Sequence, residues 1–147
     1  MSNISYIDNM EEWKSEFVYY HEIKVRFSET DMFGHVNNTA AFIYFEEARI
    51  EYLKHKGFMQ DWMNPRSEAV PVVADLQCDY LAQIYFDEKV KMYVKTNRIG
   101  TSSVDLHYMG MKEDGTVCFT GRGAMVQYSK RTGKSLPWTE DMKRALA

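Results

Sequence analysis

A short polar stretch, residues 28–38, carries the side chains best suited to chemistry. It contains Asp31, Gly34, His35 and Asn38 in close succession. A carboxylate in such a loop can deprotonate a water or attack a carbonyl carbon directly. Unpaired amides at the start of a following helix can bind the negative charge that develops on the carbonyl oxygen. The stretch therefore predicts a site for an electrophilic carbonyl, with Asp31 as the reacting group.

Each of these residues also has a simpler interpretation. An aspartate often turns a loop by accepting hydrogen bonds from nearby amides, and Asp31 could do only that. The Asn38 amide could bind water while Asn37 or Asn38 caps the helix, although capping leaves other donors free. His35 could contact a substrate or merely orient the loop. Spacing alone leaves these alternatives open.

The flanking residues predict the elements that must hold this loop. Alternating apolar residues over 19–27 predict a strand with one buried face. From about Thr39 the period becomes helical, which predicts a helix of about 16 to 18 residues. Gly57 is a natural end for it. The loop is thus expected to lie between a strand and the longest helix of the chain.

Beyond a connector, strand-like alternation returns and continues almost to the C-terminal end. One long strand is expected over 70–80, with Val70 and every second residue to Tyr80 on its buried face. Further strands are expected over about 89–95, 104–108 and 116–128. The order predicts an α+β fold, in which a mostly antiparallel sheet of five or six strands wraps around one long central helix.

Length and composition limit the remaining choices. We divide the 147 residues into an N-terminal extension with a short helix (1–17), a main domain (18–138) and a C-terminal tail (139–147). A net charge of -3 gives no case for nucleic acid or an anionic membrane as partner. Two cysteines and four scattered histidines suggest neither disulfides nor a metal site, and we expect no cofactor. The start lacks a signal-peptide pattern and no apolar run reaches membrane-spanning length, so a cytoplasmic protein is expected.

Two motifs carry a resemblance to a known family. Residues 26–38 and the run YFEEAR at 44–49 resemble the acyl-CoA thioesterases of the hotdog superfamily, and more narrowly the 4-hydroxybenzoyl-CoA thioesterase-like group. The likeness covers about residues 18–138 and includes 100–103 and 132–134. It implies a hotdog fold and an acyl-CoA substrate. It also implies homodimers with active sites at the subunit interface, while the sequence leaves dimer and tetramer open.

The resemblance further implies roles for individual residues. Asp31 matches the family's catalytic carboxylate, and Gly34 matches its loop glycine. Asn38, seven residues past the aspartate, matches the position whose main-chain amide polarises the thioester carbonyl. His35 stands at a position where a histidine is associated with catalysis in related thioesterases. Related plant acyl-ACP thioesterases carry an asparagine where this chain has Phe33, so their mechanism is not implied and CoA is favoured over acyl-carrier protein.

Other residues are candidates for binding the substrate. Phe33 and Phe42 are expected to line the acyl pocket, although an aromatic residue at such spacing is often plain core. Arg98, Lys130 and Arg131 are expected to meet the phosphates of CoA, although each could equally be an ordinary solvated charge.

Glu46 and Glu47 are rival carboxylates, since one branch of hotdog thioesterases uses an acidic residue on the helix. We favour the alternative that they pair with Arg49 or face solvent. The prediction is a thioester hydrolase that cleaves acyl-CoA to the free acid and CoA. The competing hypothesis is a non-catalytic hotdog module that binds an acyl-CoA as ligand or regulator. A hydratase would need its own acid–base pair in the helix, and the sequence has no such motif.

Overall fold

Helices and strands follow each other in nearly the predicted order. The computed structural model describes residues 3–147. Within that range, six strands form one antiparallel sheet, and the longest helix packs on one of its faces. The elements are α1 Met10–Ser15, β1 Tyr19–Lys24, α2 Ala40–His55, α3 Met59–Met63, β2 Ala69–Val73, β3 Gln77–Tyr80, β4 Lys89–Ile99, β5 Ser103–Lys112, β6 Val117–Ser129 and α4 Glu140–Leu146.

The sheet has the order β1-β4-β5-β6, and both β2 and β3 pair with the far edge of β6. The strands β4, β5 and β6 follow one another along the chain and pair as neighbours through tight turns. Gly115 turns the last of these connections at a φ of +90°, a conformation that glycine adopts without strain. Because β2 covers Met125–Ser129 and β3 covers Phe119–Arg122, the two short strands divide the edge of β6 between them.

The core lies between α2 and the inner face of the sheet. Phe45 of α2 is fully buried and stacks on Tyr108 of β5, with ring centroids 4.7 Å apart. Gly121 of β6 lies beneath the same ring, and a Cβ there would come within 2.5 Å of Phe45. Burying a phenylalanine contributes roughly 2 kcal/mol, so this contact fixes α2 firmly against the sheet.

One predicted strand is broken in two. Residues 74–76 oppose only Gly123 and Ala124 of β6, so one extra residue bulges out between β2 and β3. Asp75 replaces the missing ladder contact, because its Oδ1 accepts the Ala124 amide at 2.8 Å. Val72 is 44% exposed. The prediction of one long strand with a single buried face over 70–80 is therefore wrong.

The strand before the polar loop also ends earlier than predicted. β1 stops at Lys24, and Phe27–Glu29 forms a single 3-10 turn because the Glu29 carboxylate accepts the Arg26 amide at 2.8 Å. The Phe27 ring is consequently 75% exposed and packs edge-on against Phe86 rather than in the core. The alternation predicted a buried Phe27, but this residue belongs to the helical turn and not to the strand.

The N-terminal extension and the tail both pack against the main body. Trp13 and Phe17 cover Met109 on the outer face of the sheet, and Leu146 of α4 is fully buried in the main core. Among residues 3–147, no helix is long and apolar enough to cross a membrane. The long helix held by a curled six-stranded antiparallel sheet confirms the predicted α+β class and hotdog fold.

Candidate active site

The loop between β1 and α2 is folded around the side chain of Asp31. Its Oδ1 accepts the amide of Phe33 at 2.9 Å and that of His35 at 3.3 Å. Its main-chain amide donates to the His35 carbonyl oxygen at 2.8 Å. Among residues 3–147 nothing bonds Oδ2. One carboxylate oxygen thus turns the loop, while the other is available to water or substrate, so the two interpretations of Asp31 are compatible.

Gly34 completes this turn. Its amide donates to the Asp31 carbonyl oxygen at 3.0 Å, and its φ is +84°. No atom lies within 4 Å of the position that a Cβ would occupy. Glycine therefore serves here for its left-handed conformation and not for lack of space.

Asn37 and Asn38 lead into α2 by different contacts. The Asn37 side chain accepts the Thr39 amide at 3.1 Å, and its carbonyl oxygen accepts the Ala40 amide at 2.9 Å. No residue within 3–147 accepts a hydrogen bond from the Asn38 amide. The N-cap residue of α2 is Thr39, whose side chain makes no capping bond, so neither asparagine caps the helix as predicted, and the Asn38 N–H is left unpaired beside the electropositive start of a 16-residue helix.

A cavity of about 400 Å³ brings the loop and the helix start together. Three of the four residues predicted as catalytic line it, and Gly34 shapes the loop beside it. The lining consists of Asp31, His35, Val36, Asn37, Asn38, Ala41, Tyr80, Leu81, Ala82, Gln83, Ile84 and Phe119. A carboxylate and an unpaired amide facing one cavity can act on a carbonyl group held between them.

The wall opposite the loop was missed by sequence reasoning. It is formed by Tyr80 and the residues that follow β3, with Phe119 from the neighbouring strand. This segment is bonded to the loop, since the Val36 amide donates to the Ile84 carbonyl oxygen at 2.7 Å. The alternation predicts a strand ending near Tyr80, but not which loop its end contacts. Its placement follows from the pairing of β3 with β6.

Tyr80 connects this wall to the helix start. Its hydroxyl donates to the main-chain carbonyl oxygen of Asn38 at 2.5 Å. Partial burial raises the pKa of Tyr80 to about 12, so the hydroxyl keeps its proton at neutral pH. The residue therefore acts as a hydrogen-bond donor to the turn that carries the Asn38 amide.

His35 is half-buried at the cavity wall. Its ring packs edge-on against Tyr85, with centroids 5.3 Å apart. Within the described residues its ring nitrogens have no hydrogen-bond partner, so no group orients the ring as a base needs. The catalytic role of His35 stays a prediction, whereas its main chain clearly helps to fold the Asp31 turn.

A buried carboxylate supports the loop from below. The Glu29 side chain is 10% exposed and accepts the hydroxyl of Tyr44 on α2 at 2.9 Å. Its main-chain carbonyl oxygen accepts the Asn37 amide at 2.7 Å. Burial and the nearby carboxylate raise the pKa of Tyr44, so the donor remains protonated. Glu29 thus ties both ends of the loop to the helix.

The predicted substrate contacts do not line the cavity within one chain. Phe33 is 74% exposed at the tip of the loop, and Phe42 packs edge-on against Phe45 at the surface of α2. Arg98 lies in a separate groove on the sheet. Lys130 and Arg131 follow the end of β6, roughly 35 Å along that strand from Phe119 in the cavity wall. Their roles in binding stay predictions.

The rival carboxylates lie outside the cavity. Glu46 and Glu47 are exposed on α2, and Glu47 bonds His21 of β1 at 2.7 Å. Arg49 is only 6% exposed and donates to the Tyr108 hydroxyl at 3.4 Å. The predicted pairing with Arg49 is wrong, because the Arg49 side chain is buried and bonds Tyr108 instead. The other possibility given above, that Glu46 and Glu47 face solvent, is correct.

Thiol and metal chemistry find no suitable groups in the described chain. Burial raises the pKa of Cys78 and that of Cys118 to about 12, so neither thiol is ionised at neutral pH. Between residues 3 and 147, no three His, Cys, Asp or Glu side chains converge on a metal-sized site. The carboxylate of Asp31 remains the strongest candidate for the reacting group.

Known proteins resemble this chain over nearly its whole length. The family model of the thioesterase-like superfamily matches residues 25–146. The uncharacterized protein YsmA of Bacillus subtilis is 48% identical, covering 97% of this chain and 95% of that protein. A protein of Bacillus stearothermophilus described as a predicted thioesterase is 32% identical, with a TM-score of 0.77 over 87% of this chain and 92% of that one.

A second solved structure, the DHNA-CoA thioesterase of Staphylococcus aureus, is 26% identical, with a TM-score of 0.77 over 86% of each chain. The family match begins just after β1 and runs into the last helix, so it includes the loop, the cavity and the core. The chain belongs to the thioesterase-like superfamily.

Proposed function

We propose that the protein hydrolyses acyl-CoA thioesters to the free carboxylic acid and CoA. The observation that carries this proposal is the single cavity lined by both the Asp31 carboxylate and the residue whose amide is unpaired at the start of α2. Membership of the thioesterase-like superfamily supports thioester hydrolysis in general. The name of the DHNA-CoA thioesterase relative supports CoA as the thiol part of the substrate.

The site offers two routes for breaking the thioester. In one, Asp31 takes a proton from a water molecule, and the hydroxide adds to the carbonyl carbon. In the other, Asp31 attacks that carbon, and water then hydrolyses the resulting mixed anhydride. In both, the Asn38 amide donates to the carbonyl oxygen as it becomes negative, and the CoA thiolate leaves and takes up a proton. The turn at Oδ1 holds the carboxylate in place for either route.

A second copy of the chain would complete the substrate site. Lys130 and Arg131 lie at the opposite end of β6 from the cavity, roughly 35 Å along the strand from Phe119. A partner surface over the exposed rings of Phe33 and Phe42 would also remove apolar area from water. We therefore propose a homodimer in which these residues face the cavity of the partner subunit.

The matching test is a hydrolysis screen over short-chain, long-chain and aromatic acyl-CoAs, with release of free thiol as the readout. Asp31→Asn is the informative variant, because the new amide oxygen can still accept the Phe33 and His35 amides and preserve the loop. Loss of the base should lower kcat by about 10² to 10⁴. Asp114→Asn is a matched control, since Asp114 also folds a turn by accepting an amide, that of Thr116 at 2.9 Å.

Each result has a defined meaning. Full hydrolysis by Asp31→Asn would refute the role of Asp31. If the wild type binds acyl-CoA saturably but cleaves none of the panel, the protein is the alternative, a binding module. The engagement of Asp31 Oδ1 in the loop is the observation that favours this alternative.

A further inference from the structure

We infer that Tyr80 is a positioning residue, whose hydroxyl holds the turn before α2 so that the Asn38 amide points into the cavity. The contact joins residues far apart in sequence, one at the end of an edge strand and one at the helix start. The kinetic consequence rests on the proposed function, whereas the structural consequence can be measured without any substrate.

Asn38 has few hydrogen-bond partners. Its side chain and its amide have no hydrogen-bond partner within residues 3–147. The peptide that precedes it is anchored, because the Asn37 carbonyl oxygen accepts the Ala40 amide. The peptide that follows it is held at the Thr39 amide by the Asn37 side chain, at 3.1 Å, and at its carbonyl oxygen by Tyr80 alone among side chains of the described residues. Within residues 3–147, Tyr80 therefore supplies the only side-chain hydrogen bond to an atom of Asn38.

Planarity of the peptide makes this contact matter for the amide. The two peptide planes that meet at the Asn38 Cα can rotate only through its φ and ψ. Holding the second plane from β3 restricts both angles, and so restricts the direction of the Asn38 N–H. An oxyanion donor is effective only when it is aimed at the developing charge before the reaction begins. Tyr80 would provide this preorganisation from the sheet.

The hydroxyl is better suited to this role than to direct catalysis. Its proton is already donated to the Asn38 carbonyl oxygen, so it is not available to a substrate oxygen. Tyr80 also lines the cavity, so its ring lies beside any acyl group bound there. Removing the hydroxyl while keeping the ring should therefore alter the orientation of the amide and leave the cavity shape unchanged.

The kinetic test compares Tyr80→Phe with Tyr52→Phe. Tyr52 is a matched control, because its hydroxyl also ties α2 to the sheet, through Thr96 at 2.8 Å, but at the other end of the helix. With the acyl-CoA that the wild type cleaves best, Tyr80→Phe should lower kcat about tenfold and leave KM within about twofold. Tyr52→Phe should change kcat less than about twofold. An unchanged kcat in Tyr80→Phe, or an equal loss in both variants, would overturn the inference.

Hydrogen exchange tests the tether independently of turnover. In Tyr80→Phe, the amides of Thr39 and Ala40, which are both bonded to Asn37, should exchange about three to ten times faster than in the wild type, as expected for one lost hydrogen bond. Tyr52→Phe should leave them unchanged. Unaltered exchange in Tyr80→Phe refutes the tether, whatever the enzyme does. Faster exchange in a protein that cleaves no acyl-CoA would instead count against the proposed function alone.

Discussion

Removal of the Glu29 carboxylate should loosen the loop that carries Asp31. Glu29 is nearly buried, and it accepts the Tyr44 hydroxyl at 2.9 Å and the Arg26 amide at 2.8 Å. The Arg26 guanidinium adds a third contact at 3.3 Å, but this side chain is 75% exposed. Glu29 lies two residues before Asp31, and its main-chain carbonyl oxygen accepts the amide of Asn37, so the residue that its side chain holds against α2 contacts both ends of the proposed site.

The size of the effect follows from these contacts. A hydrogen bond to a charged group contributes about 1.5–3 kcal/mol, whereas a solvent-exposed ion pair contributes at most about 1 kcal/mol. Glu29→Ala loses the partly buried bond to Tyr44 and the exposed bond to the Arg26 amide, and should lower the free energy of unfolding by roughly 3 kcal/mol. Tyr44→Phe loses one of them and should lower it by about half as much. Because a misplaced catalytic group can reduce the rate about 100-fold, kcat should fall with the loop.

Urea unfolding and thiol-release kinetics measure the two consequences together. A double-mutant cycle of Glu29→Ala and Tyr44→Phe should give a coupling energy of at least about 1 kcal/mol, because the two side chains form one contact. If Glu29→Ala unfolds within about 0.5 kcal/mol of the wild type and keeps its kcat, the Glu29 carboxylate does not hold the loop. If the losses of stability in the two variants are strictly additive, the bond between Glu29 and Tyr44 does not hold the loop.

Two other perturbations have definite directions. Gly34→Ala should lower stability by about 1 kcal/mol and reduce kcat, because alanine is strained at a φ of +84° and the turn at Asp31 would shift. An unchanged urea midpoint together with an unchanged kcat would contradict this prediction. His107 is buried on the outer face of the sheet, where Trp13 donates to its Nδ1 at 2.9 Å, which requires an unprotonated acceptor. Burial lowers the pKa of His107 below its ordinary 6.5, so the unfolded chain takes up the proton first. The stability that His107 contributes should be full above about pH 6.5 and should decline as the pH falls from there towards the lowered pKa. His107→Gln should remove this part of the pH dependence of stability in urea titrations. An identical pH dependence in the variant would show that His107 is not the titrating group.

Local sequence patterns predicted most of the fold. The helical period after Thr39 predicted α2 to within a residue or two, and the alternation over 116–128 predicted the last strand. Such signals depend on neighbours in sequence, through side-chain period and glycine conformation, so they can be read without tertiary contacts. The same pattern failed at Asp75, where the side chain replaces a ladder contact, because the bulge depends on the partner strand.

The candidate site shows the same division. From sequence alone, motif and spacing determined that Asp31, Gly34 and Asn38 belong to one loop before a helix. Only the tertiary structure decided what stands opposite them. Tyr80 reaches the helix start because β3 pairs with β6 in one particular register, and Arg49 is buried because α2 turns that face towards Tyr108. Contacts between distant segments depend on strand register and helix rotation, and many registers share one local pattern.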